Sequence, residues 1–500
     1  MGPEPSARRT SGCPARGPRA PAGPGPSLAY RPGIAEYRTI PELFEETLAA
    51  VPDKTWLLFE DDAYTYAEAH GRIAAVAAGL RRHGLAMGDI VLATARNDPR
   101  YVFLWLAAAY SGVIYLGVDP RQTDTELDGL VQQTEPTLVV TDANLDELFA
   151  EQGSLDGPGP ATHDDPAVLI PTSGTTGRSK LVTQTHRAYA MAGEGFPWWI
   201  GLAEDDRLMT SLPLFHINAP AYSVLGSVTA RASLALLPRF SARGFLDSAR
   251  RHGATQFNAI GAMLEILMRQ PERPDDADTP LRLAYAGPTP PEERHLEFER
   301  RFGLELTSGY AMSETTYGTV WAHGTRPYGT LGSPRQHPRL GVVNEARVNA
   351  DGELELRNPA VMKGYWGMPE ETERVLAPDG WLKTGDLVTE NEDGTYTFVG
   401  RRKEVIRRRG ENVAPAEIEE ALASHPDVVE VAVVGVPSEL SEEDIKAFVV
   451  MRDGADADFD ELRDWAAQRL TAFKVPSLYE ALRELPHTAT GRIAKHRLPT

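Results

Sequence analysis

The chain has 500 residues, 42% of them hydrophobic, and a formal net charge of −20 from 51 Lys and Arg against 71 Asp and Glu. That length and apolar share exceed the needs of one core, so two or more domains are expected, and the acidic balance argues against nucleic acid or an anionic membrane as partner, since both need a basic face. One cysteine, Cys13, leaves no intrachain disulfide and no thiolate cluster for zinc, and no apolar run reaches the roughly 20 residues that span a bilayer, so a cytoplasmic enzyme of small molecules is expected.

Residues 1–30 are rich in Pro, Gly and Arg, lack the apolar core of a secretion signal and are expected to form a disordered tail. Arg8-Arg9 has no apolar segment behind it and is not read as an export signal. Beyond the tail, helical spacing over 67–83 alternates with strand-length apolar runs at 90–95, 138–141 and 234–237. This is the pattern of an α/β domain with largely parallel, buried sheets covered by helices. From Asp351 the periodicity changes to two, over 353–356 and 394–399, which predicts short antiparallel strands. A helix from Pro415, a strand over 428–436 and a helix over 458–470 then predict a separate α+β domain. The expected division is a tail at 1–30, a large domain at 31–400 and a smaller one at 401–500.

The chemistry starts at Pro171-Thr172-Ser173-Gly174-Thr175-Thr176-Gly177-Arg178-Ser179-Lys180. Glycines let backbone N–H groups turn toward an anion, hydroxyls donate further hydrogen bonds, and Lys180 adds a point charge, which together suit phosphate. The Walker spacing is absent from the chain. In Gly309-Tyr310-Ala311-Met312-Ser313-Glu314, Tyr310 offers an aromatic face for a purine and Glu314 a hard oxygen for Mg²⁺. Asp386, closing Trp381-Leu382-Lys383-Thr384-Gly385-Asp386, has two acceptor oxygens for a vicinal diol. The basic run 401–409 is a single cluster in an acidic chain and is not read as a nucleic-acid patch.

Taken in order, these motifs resemble the adenylate-forming superfamily of acyl-CoA synthetases, luciferases and nonribosomal peptide adenylation domains, and most of all its carnitine/crotonobetaine-type and aryl or fatty acyl-CoA ligases. The resemblance spans residues 35–500. It implies a large N-terminal domain of parallel and mixed sheets flanked by helices, with a distorted small β-barrel, and a mobile C-terminal α+β domain. It also implies ATP, Mg²⁺ and CoA. Thr172, Ser173, Gly174, Thr175, Thr176, Gly177 and Lys180 would hold the β- and γ-phosphates. Tyr310 would stack on adenine beside Ser313, which stands where the family usually has Thr; Glu314 would hold Mg²⁺, Asp386 the ribose, and Arg401 would meet the nucleotide. Lys403 takes the place of the hinge and Gly410 that of the pantetheine tunnel.

On the acyl side, His216 stands where amino-acid-activating relatives carry the aspartate that pairs with an α-ammonium, which disfavours a free amino acid. Asn258, Ala286, Gly287, Gly309 and Gly332 would line the pocket, with Ala286-Gly287-Pro288 in place of the common Gly-Gly-Ala. Arg492 occupies the position of the family's catalytic lysine, and Lys495 lies three residues on, sharing a face with it if the segment is turned or helical. One of the two is expected to supply the cation. The implied function is activation of a carboxylic acid as its acyl adenylate, with release of pyrophosphate and transfer to CoA. Two alternatives stay open: a non-CoA acceptor (an amide synthetase, a loader of an acyl carrier protein, or a diazotase using nitrite and an aromatic amine), and a catalytically silent nucleotide-binding scaffold.

Overall fold

In the computed structural model of the chain, residues 36–172, 180–287, 290–402, 404–408, 411–438, 443–452, 454–470, 472–488 and 493–499 are described. Thr39, Thr65 and Thr123 each open a helix with a capping box, the threonine hydroxyl accepting from the N3 amide while Glu42, Glu68 or Glu126 returns to the cap amide. The Thr-x-x-Glu spacing thus fixes where the backbone turns into helix. Tyr66–Arg82, the helix expected over 67–83, buries Ala69, Ile73, Val76, Ala77 and Leu80 along one stripe.

The strand-length apolar runs form the sheets. Ile90–Thr94 pairs in parallel with Ile114–Val118 and Leu138–Val140, and Pro166–Thr172 extends the same six-stranded sheet before it reverses at Lys180–Thr185. The phosphate-type segment therefore joins two antiparallel strands whose ends meet as Thr172 opposite Lys180. A second sheet of nine strands runs parallel through Ser233–Leu236, Arg207–Thr210, Gln256–Ile260, Leu283–Gly287 and Glu305–Met312, then turns antiparallel at Thr315–Val320 and Ser333–Pro334. Helix His186–Ile200 is buried over most of its length, so the layers share one apolar core.

The small β unit takes the form of a four-stranded antiparallel sheet, Glu345–Val348, Glu353–Arg357, Leu382–Glu390 and Tyr396–Arg401. Farther along, Val428–Pro437, Glu443–Met451 and Leu478–Ala481 form a sheet covered by helices Pro415–Ala423 and Phe459–Ala467, with apolar clusters of their own. The helix expected over 458–470 is shorter at both ends. Asp458 is its N-cap, accepting from the amides of Asp460 and Glu461, and Leu470 lies beyond its last turn. No helix among the described residues is long and apolar enough to cross a membrane.

His186, the first residue of its helix, is fully buried with neither ring nitrogen hydrogen-bonded among the described residues. Burial holds its imidazole down to about 4, with Asp165 and Glu42 pulling weakly the other way. The unfolded chain takes up this proton near the ordinary value of 6.5, so stability should fall as pH drops from 6.5 to 4, by about 3 kcal/mol in all. Urea titrations of His186→Phe across that window should show a flatter acid limb, and an unchanged slope would assign the acid sensitivity elsewhere.

Candidate active site

Asp386 gathers the nucleotide-type residues. It lies on the strand Leu382–Glu390, 1% exposed, with Arg401 directly opposite on the next strand. The Tyr310 hydroxyl donates to its Oδ2 at 2.6 Å, and Arg401 Nε reaches its Oδ1 at 3.0 Å. Three sequence-distant motifs thus meet at one carboxylate. Gly385, at φ +76°, supplies the left-handed turn that aims it, and the Gly385 amide is anchored on Glu353 Oε1 at 2.8 Å. Burial, reinforced by Asp386, pushes the Tyr310 phenol far up, so it remains a neutral donor.

A second string of contacts starts at Lys180. Its ammonium pairs with Glu371 at 2.5 Å and lies 4.8 Å above the Tyr365 ring. The Tyr365 hydroxyl donates to Glu314 Oε1 at 2.9 Å, so Lys180 and Glu314 flank one aromatic side chain. Burial raises the Glu314 carboxyl above its usual range despite that hydrogen bond. Gln184 donates to the Ser313 carbonyl at 2.7 Å and ties this turn to the strand that begins at Lys180. Tyr365 and Glu371 were not singled out from the sequence, because neither belongs to a motif. Only folding brings them to Lys180.

Among the residues expected to line an acyl pocket, His216 precedes a π-helical turn, Asn218–Val224, and packs its ring 4.5 Å from that of Phe215. Backbone displaced from the regular helix frame in this way is common at functional sites. Beside it Asp119, although partly buried, is held below the ordinary carboxylate range by Arg121 and His216. Asn258 is buried and donates to Ser223 Oγ at 2.9 Å and Asn218 Oδ1 at 3.2 Å. The register Asn258, Tyr285, Thr307 puts these side chains on one sheet face, and the two-residue repeat adds Gly287 and Gly309. Ala286 alternates to the other face. At Gly287 a Cβ would meet Gly309 O at 2.4 Å, and at Gly332 it would meet Val320 O at 2.3 Å, so both glycines permit close backbone packing. Arg335, unmarked in the sequence, is fully buried behind Gly309.

Ser173, Gly174, Thr175, Thr176, Gly177, Lys403, Gly410 and Arg492 lie outside the described residues. Thr172 ends its strand and donates from Oγ1 to the Lys180 carbonyl at 3.2 Å. Lys495 is held by Glu404 at 2.9 Å and Glu419 at 2.8 Å. Burial pulls its ammonium down, but the two carboxylates more than offset this and leave it above the usual lysine range. No cluster of three or more His, Cys, Asp or Glu suited to a metal occurs among the described residues.

The AMP-binding enzyme model matches residues 44–366, and that of the AMP-binding enzyme C-terminal domain matches 417–492. Crotonobetaine/carnitine–CoA ligase of Salmonella agona (strain SL483) is 30% identical over 514 residues, covering 91% of this chain and 98% of its own. ATP-bound MatB from Rhodopseudomonas palustris superposes with a TM-score of 0.84 at 28% identity, covering 92% and 98% of the two chains. The o-succinylbenzoate CoA synthetase MenE of Bacillus subtilis, with its acyl-adenylate intermediate, gives 0.82 at 26% identity, covering 91% and 97%.

A methyl group at Gly309 would lie 2.7 Å from the Tyr285 hydroxyl, 2.8 Å from Arg335 Nη2 and 3.0 Å from the Thr319 carbonyl. Gly309→Ala is therefore expected to destabilise by about 1–3 kcal/mol. Gly71→Ala, in an exposed helical position with nothing within 4 Å, should stabilise by up to about 1 kcal/mol. Denaturant midpoints of the two variants check the contrast, and equal effects would refute it.

Proposed function

The chain belongs to the AMP-binding enzyme family, and on that premise we propose that it activates a carboxylic acid with ATP and passes the acyl group to CoA. The substrate carboxylate attacks the α-phosphorus, the bond to pyrophosphate breaks with its electron pair leaving on pyrophosphate, and the CoA thiol then displaces AMP from the acyl adenylate. Such transfer rewards in-line positioning and charge neutralisation more than covalent participation by the protein. A cytoplasmic setting accords with the single cysteine.

The observation that carries the reading is the convergence of Tyr310, Asp386 and Arg401. A carboxylate offers two acceptor oxygens, which suits the vicinal hydroxyls of a ribose. Tyr310 then offers its ring to the base and Ser313 a hydroxyl beside it. Thr172 and Lys180, with the hydroxyls and glycines at 173–177, serve the β- and γ-phosphates. Glu314 fits Mg²⁺, since a desolvated carboxylate held above its usual range gains from a cation. When bound, Mg²⁺ would neutralise charge on the phosphate oxygens. His216, Asn258, Gly287, Gly309 and Gly332 form the acyl side, whereas Ala286, expected there from the sequence, faces away from it. Lys403 serves as the hinge between domains at 31–400 and 401–500, and Gly410 borders the CoA path.

Pyrophosphate release from ATP and Mg²⁺ over a panel of aliphatic and aryl acids, with and without CoA, tests the reading. A signal that yields an acyl-CoA only with CoA present is expected, and release that responds to an amine or nitrite but not to CoA would displace it.

We assign the adenylation cation to Arg492 rather than Lys495, whose ammonium is held by two carboxylates, Glu404 and Glu419, where Lys180 pairs with Glu371 alone among the described residues. Arg492→Ala should slow acyl-adenylate formation on the order of 10²- to 10³-fold, while Lys495→Ala should stay within a few-fold of the native rate. The reverse pattern in single-turnover assays would move the role to Lys495.

A further inference from the structure

Gly364–Tyr365 is a two-residue strand laid antiparallel on the strand that begins at Lys180, with Gly364 opposite Thr183 and Tyr365 opposite Val182. The backbone around it is fastened at both ends. The Lys363 amide donates to the Thr183 carbonyl at 3.0 Å and the Trp366 amide to the Leu181 carbonyl at 2.8 Å, while the Met362 amide donates to the Glu314 carbonyl at 2.8 Å. The Tyr365 amide donates to Thr372 Oγ1 at 2.9 Å and is held from a further side. Residues 362–366 therefore form a splint between the Lys180 strand and the turn that carries Glu314. The Tyr365 side chain, 8% exposed, touches both.

Its ring takes the Lys180 ammonium over one face, 4.8 Å from the centroid, and its hydroxyl donates to Glu314 Oε1 at 2.9 Å. Among the described residues Lys180 pairs with Glu371 and not with Glu314. Burial raises the Glu314 carboxyl, and the Tyr365 hydrogen bond, Arg401 and Lys180 draw it back in part, so the ammonium is within electrostatic reach of that carboxylate without pairing with it. Lysine has a flexible four-carbon stem, and an ammonium seated on Glu314 would fill the place that a divalent cation needs. With the ring under the ammonium and the hydroxyl on the carboxylate, one rigid side chain keeps the two apart. A carboxylate that is to hold a metal also needs a fixed orientation, which a hydrogen bond to its oxygen supplies.

We propose that Tyr365 is a positioning residue for Mg²⁺: its hydroxyl orients the Glu314 carboxylate, and its ring holds Lys180 off that carboxylate, so that the anion stays available to the metal and the cation to phosphate. This rests on the nucleotide-binding reading above, in which Glu314 meets Mg²⁺ and Lys180 the phosphates.

The test is calorimetric titration of the full-length protein with a non-hydrolysable ATP analogue, once in excess Mg²⁺ and once in EDTA, so that the ratio of the two dissociation constants reads the metal's share of binding without turnover. In the native protein Mg²⁺ should tighten the analogue. Tyr365→Phe, which loses only the hydroxyl, should cut that ratio on the order of tenfold and leave the EDTA value within about threefold of native. Tyr365→Leu, which loses the ring as well, should cut it further. In a Lys180→Gln background the Phe and Leu variants should become equal, since no ammonium is left to settle on Glu314. An unchanged ratio in Tyr365→Phe, a loss equal in Mg²⁺ and in EDTA, or an extra loss in Tyr365→Leu that persists beside Lys180→Gln would overturn the proposal. If Tyr365→Leu does not fold, as judged by its melting transition, the Tyr365→Phe ratio decides. A native protein that does not bind the analogue removes the nucleotide-binding reading and this assignment with it, whereas native binding that Mg²⁺ does not tighten removes only the metal's place at Glu314 and this assignment.

Discussion

The site depends on one buried carboxylate. Asp386 is opposed across a strand pair by Arg401 and capped by the Tyr310 hydroxyl, so the nine-stranded sheet, the four-stranded sheet and the start of the C-terminal segment are fastened at a single point. A buried carboxylate needs such partners, because its desolvation is offset only by a nearby cation and by donors in good geometry. The groups that satisfy Asp386 in the free protein are those that would frame a nucleoside. The contacts that stabilise the fold here would also shape the nucleotide side of the proposed site.

Much of this arrangement was legible in the sequence, because it is written in short linear segments. The apolar runs at 90–95 and 138–141 and the order of the three nucleotide motifs need no long-range information. What escaped was everything that depends on convergence. Glu371 meets Lys180 across 191 residues, Tyr365 reaches Glu314 across 51, and Arg335 meets Tyr222 across 113. Each is an ordinary residue in an ordinary turn or short element until the sheets are assembled. The start of the helix at Phe459 was missed for a local reason: Asp458 spends its side chain as a cap, so the helix starts one residue later than its polar-apolar pattern suggests.

Lys180 and Arg335 differ in what surrounds them. Lys180 sits among carboxylates and an aromatic face near solvent, whereas Arg335 is enclosed by hydroxyls, carbonyls and rings. A compact ammonium that is easily rehydrated suits a group that must exchange partners, and a planar fork with fixed donors suits one that must not move.

The Lys180–Glu371 pair has a further thermodynamic consequence. Because the lysine is already neutralised, a phosphate bound there as proposed would not meet a bare charge but trade places with Glu371, and the affinity gained would be only the difference between the two pairings. The same exchange would run backward as pyrophosphate departs, since Glu371 is at hand to take back the ammonium. A built-in counter-ion of this kind lowers the grip on substrate and product alike, and so works against the product inhibition that a tighter phosphate site would suffer.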